Sequence, residues 1–169
     1  MATSYRNLIQ TEIKNWSKPI NRGSGEFTSP DYYFYYTSEI LLETIGIICM
    51  RFDLQEYTGG AHPNYTTKYI IFDKTKKKEL KISDLVSKKS ISNFWKIAET
   101  FFGNEAPSQL LFEPKFIHPE NIGINSNGIV LFYNRYEIAP YSSGDIQFII
   151  PFEFIYPTLN EVTRRKLFK

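Results

Sequence analysis

Residues 45–57, Ile-Gly-Ile-Ile-Cys-Met-Arg-Phe-Asp-Leu-Gln-Glu-Tyr, decide the fold class of this chain. From Ile48 to Leu54 every second residue is apolar, which is the period of a half-buried β-strand. The runs on either side, Tyr32 to Glu43 and Tyr65 to Asp73, are also rich in Tyr, Phe and Ile, which favour strands. The sequence therefore predicts a meander of antiparallel strands.

The meander is expected to continue through a lysine-rich turn. Lys74, Lys76, Lys77 and Lys78 stand between two predicted strands, and Glu79 to Ile82 is the returning strand. A solvated turn is the preferred interpretation of the lysines, and a polyanion site is the minority one. After Ile82, either Ser83 or Asp84 is predicted to cap the turn that follows.

Beyond residue 87 the period changes from two to that of a helix. Apolar residues now recur at three- and four-residue spacing, which predicts a helix from about Ser92 to Phe102 that lies on the sheet. Gly103 is predicted to end this helix. The pattern predicts a buried core that includes Trp95, Phe101, Ile97 or Ala98, Ile48, Phe52, Ile71 and Leu131.

The two ends of the chain complete an α+β fold. A helical stripe predicts an opening helix from Ser4 to Ser17. Near the other end, Asn127-Gly128 predicts a hairpin, Asp145 to Ile150 a strand, and Pro151 a short C-terminal helix. Antiparallel sheets packed with these helices define the α+β class. Residues 1–86 and 87–169 are predicted to form two halves that share one core, a single compact unit.

The predicted strands are residues 32–43, 45–57, 65–73, 79–82, 121–125, 128–136 and 145–150.

Charge and composition exclude some classes of function. With 20 basic and 18 acidic residues, the chain lacks the clustered basic surface of a nucleic-acid-binding protein. No run of about 20 apolar residues is present to span a bilayer. The chain opens Met1-Ala2-Thr3-Ser4 without a signal peptide, so a cytoplasmic protein and an exported protein whose leader or anchor was removed are both open.

The first candidate ligand loop is Thr58-Gly59-Gly60-Ala61-His62-Pro63-Asn64. Its two glycines allow positive φ angles, and Pro63 favours an extended backbone before it. Two interpretations are open: a shaped connection in which His62 fills a hydrogen-bonding niche, or a ligand loop that presents the imidazole. In the second case His62, Pro63 and Asn64 are the binding residues.

The second candidate ligand loop spans residues 133–144, Tyr-Asn-Arg-Tyr-Glu-Ile-Ala-Pro-Tyr-Ser-Ser-Gly. Pro140 stiffens it, so Tyr141 could be displayed at a small entropic cost. Tyr136, Pro140, Tyr141 and Ser142 are the binding residues predicted here, with Tyr141 as the anchor. The equal alternative is a tyrosine that packs the loop onto the sheet.

Few residues suit catalysis. His62 and His118 are the two histidines, and the single cysteine, Cys49, lies in an apolar strand where an inert thiol is expected. A zinc site would need both histidines and carboxylates such as Asp84 or Glu120, and no closely spaced ligand pair is present. The sequence predicts no catalytic residues, no metal and no cofactor, although a hydrolase with two carboxylates stays open.

Three motifs in order carry a resemblance to a known family. They are the Gly59-Gly60-Ala61-His62 loop, the Leu80 to Leu85 segment after a turn containing Asp73, and the Tyr136 to Gly144 loop before Ile150-Pro151-Phe152. Together they resemble the RsiV/PdaC-type extracytoplasmic domain family of bacterial envelope proteins, such as the C-terminal domain of the anti-sigma factor RsiV.

The resemblance implies an extracytoplasmic, non-enzymatic module, held at the membrane only through an anchor missing from this chain. In that family the RsiV branch recognises lysozyme, and PdaC couples the module to a separate peptidoglycan-deacetylase domain. The expected partner is a protein or glycan ligand in the cell envelope, related to peptidoglycan or to lysozyme. The alternatives are a hydrolase of envelope polysaccharide and a structural lipoprotein domain.

Overall fold

Two antiparallel sheets and four helices form the described part of the protein. The structure is a computed structural model that describes residues 32–105 and 110–168, and its fold is α+β, which confirms the predicted class. The opening helix predicted for Ser4 to Ser17 lies outside the described residues.

The first sheet has the order β1 (Tyr33–Glu43), β2 (Ile47–Tyr57), β3 (Asn64–Asp73) and β4 (Lys78–Glu79). The second sheet has the order β5 (Asn121–Ile124), β6 (Gly128–Tyr133) and β7 (Ile146–Pro151). The helices are α1 (Ile82–Leu85), α2 (Ile91–Glu105), α3 (Phe152–Ile155) and α4 (Glu161–Phe168).

The first half of β2 is buried on both faces. Ile47 and Cys49 join a large cluster with α2 and the second sheet, whereas Ile48, Met50 and Phe52 join a smaller cluster on the opposite face. The half-buried pattern expected for β2 begins only after Met50. From there on, Arg51, Asp53 and Gln55 lie on the same face of the strand as Cys49. The same side of the sheet is therefore apolar at one end and polar at the other.

Helix α2 buries one side of the predicted apolar stripe more deeply than the other. Phe94, Ala98 and Phe102 are buried at four-residue spacing, whereas Trp95 and Phe101 are half-buried and pack against the edge of the core. The predicted burial of Ala98, Ile48, Phe52, Ile71 and Leu131 is confirmed. The expectation that Trp95 and Phe101 are largely buried is met only in part, because Phe94 and Phe102 take the buried positions of the helix.

Three predicted boundaries shift. The returning strand is only Lys78–Glu79, and Ile82 already begins α1 with Lys81 as its N-cap. Asp84, one of the two predicted caps, lies inside α1, and its carboxylate accepts the Lys81 N–H at 3.0 Å. Helix α2 continues past Gly103 and ends at Glu105. A glycine inside a helix costs only about 1 kcal/mol relative to alanine, and Gly103 has open space around it, so it does not end the helix. At the end of the chain, Pro151 precedes α3 as predicted, and α4 follows as an additional helix.

Side-chain amides join the two sheets along β3. Because β4 pairs with only two residues of β3, the backbone of Thr67 and Tyr69 needs other partners. Asn121 accepts the Tyr69 N–H at 2.8 Å and donates to the Thr67 carbonyl at 2.7 Å. Asn134 accepts the Thr67 N–H at 2.7 Å. These bonds place the start of the second candidate loop beside β3.

Within the residues that the structure describes, no helix is long and apolar enough to cross a membrane.

Candidate functional site

The first candidate loop turns sharply and then presents a histidine. Gly59 and Gly60 have φ angles of 97° and 109°, which favour glycine because a Cβ would clash with the backbone. The Tyr57 hydroxyl donates to the Gly60 carbonyl at 2.9 Å and closes the turn. The loop therefore returns the chain to β3 with His62 and Pro63 half-buried and Asn64 exposed.

The second candidate loop is shaped by local hydrogen bonds. The Glu137 carboxylate accepts the Asn134 N–H at 2.8 Å, and the turn between them places Tyr136 at a φ of 67°. Pro140 then begins a 3-10 turn over Tyr141–Ser143. Tyr136 is 58% exposed and Ser142 is also exposed, whereas Pro140 and Tyr141 are half-buried.

The two loops meet, although His62 and Tyr141 are 79 positions apart in the chain. The imidazole of His62 stacks on the ring of Tyr141, with centroids 3.7 Å apart and planes 17° apart. The Tyr141 hydroxyl donates to the Pro63 carbonyl at 2.9 Å. Tyr136 adds a third ring, 5.6 Å from Tyr141 and 6.4 Å from His62. We call these three rings the aromatic cluster.

Arg135 connects the aromatic cluster to the first sheet. Its guanidinium carbon lies 4.0 Å from the ring centre of Tyr65 and 4.8 Å from that of Tyr141, which is the range of cation–π attraction. Its Nε lies 3.6 Å from the Asp145 carboxylate. A single cation therefore holds the second loop, a ring of β3 and the start of β7 together.

An open cleft lies next to the aromatic cluster, on the polar end of the first sheet. Its volume is about 260 Å³. Three strands and the segment before β7 contribute its lining residues: Tyr35, Thr37, Arg51, Asp53, Leu54, Gln55, Tyr65, Thr66, Thr67 and Asp145. We call it the sheet cleft. Because Tyr65 and Asp145 line it and also contact Arg135, the cleft and the cluster form one continuous surface.

The polar groups of the sheet cleft are held in a network. The Nε of Arg51 lies 2.9 Å from the Asp53 carboxylate, which also accepts the Thr67 hydroxyl at 2.6 Å. The side-chain amide of Gln55 donates to the hydroxyls of Tyr33 at 2.9 Å and Tyr65 at 3.1 Å. These side chains are therefore fixed before any ligand arrives, as a binding surface requires.

The predicted binding residues differ in what the geometry offers. His62, Pro63, Tyr136 and Tyr141 come together, whereas Asn64 and Ser142 are exposed. For Tyr141, a half-buried ring with its hydroxyl bonded to backbone favours the packing interpretation over the anchor. Tyr136 is the more exposed tyrosine of the cluster.

Candidate catalytic residues lie apart from one another. His118 stacks on Trp95 of α2 at 4.0 Å, and Asp84 lines a different cleft, with Asp73 and Lys166. Burial raises the pKa of the Cys49 thiol to about 12, so the thiolate that chemistry needs is disfavoured. Within the described residues, no group of three or more His, Cys, Asp or Glu side chains could hold a metal ion.

Sequence reasoning missed the sheet cleft. The alternation of Arg51, Asp53 and Gln55 was visible, but it indicated only the outer face of a strand. The polar ends of three neighbouring strands become one surface only through their register, in which Gln55 pairs with both Tyr35 and Tyr65. The sequence did not indicate a role for Arg135, because one of its partners, Tyr65, lies 70 positions earlier in the chain.

The fold and the surface define an α+β domain of two antiparallel sheets, with an aromatic cluster and an open polar cleft at one end. Residues 70–153 match the model of a family described as a protein of unknown function, DUF3298. This segment runs from β3 to the start of α3 and contains the whole second loop. The match supports the broad family, and the finer RsiV/PdaC-type assignment stays a prediction.

Solved structures of DUF3298 family proteins share this fold. One, from Pseudomonas aeruginosa PAO1, is 21% identical, with a TM-score of 0.63 over 77% of this chain and 63% of that chain. Another, from Bacteroides fragilis NCTC 9343, is 22% identical, with a TM-score of 0.64 over 94% of this chain and 63% of that chain. The chain thus spans 63% of the length of each. A search of curated proteins found no match to this chain.

Proposed function

We propose that this chain is a non-enzymatic binding or sensing domain of the bacterial cell envelope, with a protein or glycan as its ligand. One observation carries the proposal: two loops that the sequence marked separately for ligand binding meet in the aromatic cluster, beside an open cleft. Loops fixed on a rigid scaffold are where proteins usually place binding residues. The extracytoplasmic location rests on the resemblance to the RsiV/PdaC-type family.

The conformation of Tyr136 supports a binding role for the cluster. A tyrosine at a φ of 67° is in the left-handed region, which costs a residue with a Cβ roughly 1–2 kcal/mol. Such strain persists where a site needs the side chain in a particular place. An exposed, amphipathic ring held in this way is also the kind of residue that dominates the energy of protein interfaces.

The charges of the surface favour binding over hydrolysis. Both carboxylates of the sheet cleft, Asp53 and Asp145, face the guanidinium groups of Arg51 and Arg135. The two histidines are the side chains best suited to acid–base chemistry at neutral pH, and each stacks on a different ring: His62 on Tyr141 and His118 on Trp95. This arrangement suits a surface that recognises its ligand without converting it.

The test is a set of direct binding experiments on the purified chain. Immobilised protein is exposed to purified peptidoglycan, to lysozyme and to envelope extracts, and bound material is quantified for the wild type and for Tyr136→Ala and His62→Ala. The matched control is Tyr156→Ala, an exposed tyrosine in the 3-10 turn after α3. We expect retention of peptidoglycan or lysozyme that Tyr136→Ala reduces and Tyr156→Ala does not.

Two results would contradict the proposal. Release of soluble sugars from peptidoglycan by the wild-type chain would establish the alternative, a hydrolase. Retention of neither peptidoglycan nor lysozyme nor any extract component would favour the third alternative, a structural lipoprotein domain.

A further inference from the structure

The sheet cleft has the chemistry of a site for uncharged sugars. The two cations in or beside it, Arg51 and Arg135, each face a carboxylate, Asp53 or Asp145, and Glu39, opposite Arg51 on β1, adds a further negative charge nearby. A surface whose cations are paired in this way has little attraction for a phosphate or another polyanion, which binds through unpaired cations. The partner that this surface fits is therefore a neutral one.

The lining is polar and aromatic rather than apolar. Leu54 is the one aliphatic residue among those that line the cleft. A protein partner usually anchors itself by burying an apolar or aromatic side chain in an enclosed pocket, and this open lining offers none. Rings with fixed polar groups between them instead suit a sugar, which presents C–H faces to the rings and hydroxyl groups to the polar atoms.

Gln55 and Tyr65 form the hydrogen-bonding pair that a hydroxyl group needs. Gln55 uses both amide hydrogens on the hydroxyls of Tyr33 and Tyr65, so within residues 32–105 and 110–168 its Oε1 stays as an acceptor. The Tyr65 hydroxyl accepts from Gln55 and can donate its own hydrogen. A sugar hydroxyl both donates and accepts, so it can bond to both atoms at once.

The size and shape of the cleft fit one part of a longer chain. Its volume of about 260 Å³ is below the roughly 300–1,000 Å³ of pockets that enclose a whole small ligand. The exposed ring of Tyr35, 63% accessible, stands at one side, and Arg135 and the aromatic cluster lie at the other. A polysaccharide could place one sugar in the cleft and continue over Tyr136.

We propose that the sheet cleft binds a neutral polysaccharide chain, with Tyr65 and Gln55 recognising a sugar hydroxyl and Tyr35 packing against the ring face. The inference rests on the proposed binding function and selects the glycan over the protein ligand. Tyr65 is a precise place to test it, because Tyr65→Phe removes the hydroxyl and keeps the ring on which Arg135 lies.

The experiment is calorimetric titration of the chain with neutral tetrasaccharides, namely β-1,4-linked N-acetylglucosamine and β-1,4-linked glucose. We expect at least one to bind, and we expect Tyr65→Phe and Gln55→Leu each to weaken binding about three- to tenfold, the effect of one lost hydrogen bond. Tyr156→Phe is the matched control and should leave affinity unchanged. Melting temperatures establish that each variant is folded.

The outcomes separate this inference from the proposed function. Binding of neither tetrasaccharide overturns the glycan cleft, and if the chain still retains lysozyme through Tyr136, the binding function stands with a protein ligand. Equal affinity of wild type, Tyr65→Phe and Gln55→Leu for a tetrasaccharide also overturns it, because the sugar would then bind elsewhere. Loss of every binding signal contradicts both proposals.

Discussion

At the scale of single residues, Tyr136 and Tyr141 differ in exposure, contacts and backbone conformation, although the sequence predicted Tyr141 as the anchor. Tyr141 is half-buried, stacks on His62 and bonds to the Pro63 carbonyl. Tyr136 is 58% exposed and has a positive φ. The structure therefore gives Tyr141 the features of a positioning residue and Tyr136 those of a contact residue, and the two can be separated by mutation.

Tyr136→Gly should leave stability almost unchanged while it removes binding. Glycine relieves the left-handed strain, so we expect the free energy of unfolding to change by about +0.5 to −0.5 kcal/mol after the lost ring contacts are included. Tyr136→Asn, which also tolerates this conformation, is the matched variant. Denaturant unfolding and retention on peptidoglycan or lysozyme measure the two effects. A strongly destabilised but fully binding Tyr136→Gly would show that the ring serves packing.

Tyr141→Phe should lower stability and change affinity little. The variant keeps the stack on His62 and loses the bond to the Pro63 carbonyl, a partly buried interaction worth about 1 kcal/mol. Tyr141→Ala also loses the ring and should cost roughly 2–3 kcal/mol. Thermal and urea unfolding check this. A Tyr141→Phe protein of wild-type stability with several-fold weaker binding would restore the anchor role to Tyr141.

The two loops could be recognised from the sequence because their glycine and proline residues restrict the local backbone conformation. Gly59 and Gly60 indicated a tight turn, and Pro140 indicated a stiff loop. Neither pattern carries information about a partner far along the chain. The stack of His62 on Tyr141 and the position of Arg135 over Tyr65 arise from the packing of one sheet on the other, so they could not be predicted from local sequence.

At the scale of elements, α2 is oriented by Phe94 rather than by Trp95. Phe94 is fully buried, and Trp95 is half-buried between Phe94, Phe116 and His118. Helical spacing indicated an apolar face that contained both Phe94 and Trp95. Because this face is wide, the spacing does not show which of the two lies at its centre.

Phe94→Ala should therefore destabilise the protein more than Trp95→Ala. A cavity in the centre of the core costs about 3–5 kcal/mol, whereas a half-buried ring at the edge should cost about 1–3 kcal/mol, because solvent can reach the vacated space. Urea unfolding followed by far-ultraviolet circular dichroism measures both, since that signal does not depend on the indole. A larger loss for Trp95→Ala would contradict this placement of α2.

An ion pair fastens α4 to the first sheet. Asp73 of β3 is buried, and its carboxylate accepts Lys166 of α4 at 2.6 Å and the N–H groups of Thr75 and Lys76. Burial alone would raise the pKa of Asp73, but the bonds from Lys166, Lys76 and Thr75 outweigh it and lower that pKa. Gly46 leaves room for the lysine, since a Cβ there would lie 2.6 Å from Lys166 Cγ.

Asp73→Asn should lower stability at neutral pH and flatten its dependence on acid. A depressed carboxyl pKa contributes stability above its unfolded value of about 3.9, and the contribution is lost as pH falls through the folded pKa. We expect a loss of about 1–3 kcal/mol at pH 7 that narrows below about pH 4. Glu43→Gln, which removes an exposed pair with Lys74, is the control and should cost under about 1 kcal/mol. A constant difference at every pH would contradict this account.

The element boundaries that the sequence missed also have physical causes. The strand after the lysine turn stops at Glu79 because Asp84 caps a helical turn at Lys81. Helix α4 has few apolar residues, Val162, Leu167 and Phe168, so it shows little periodicity. It is held instead by the Asp73 pair and by the Asn160 side chain, which accepts the Thr163 N–H at 2.9 Å.

At the scale of the whole molecule, the first sheet serves two purposes along its length. Near Ile47 and Ile71 it packs against α2 and the second sheet, and near Gln55 and Tyr65 it opens into the sheet cleft. The α+β class followed from the runs of strand period and the helical periods between and beside them. The cleft did not, because it depends on where the second sheet stops covering the first, which Asn121 and Asn134 determine through their bonds to β3.

The most direct test of the account is an amide NMR titration of the isotope-labelled chain with soluble peptidoglycan fragments and, separately, with lysozyme. We predict that at least one of them shifts signals of residues 51–57, 62–65 and 134–145, and leaves those of α4 unchanged. Shifts confined to other parts of the chain, or no shift with either ligand, would contradict the claim that the aromatic cluster and the sheet cleft form the binding surface.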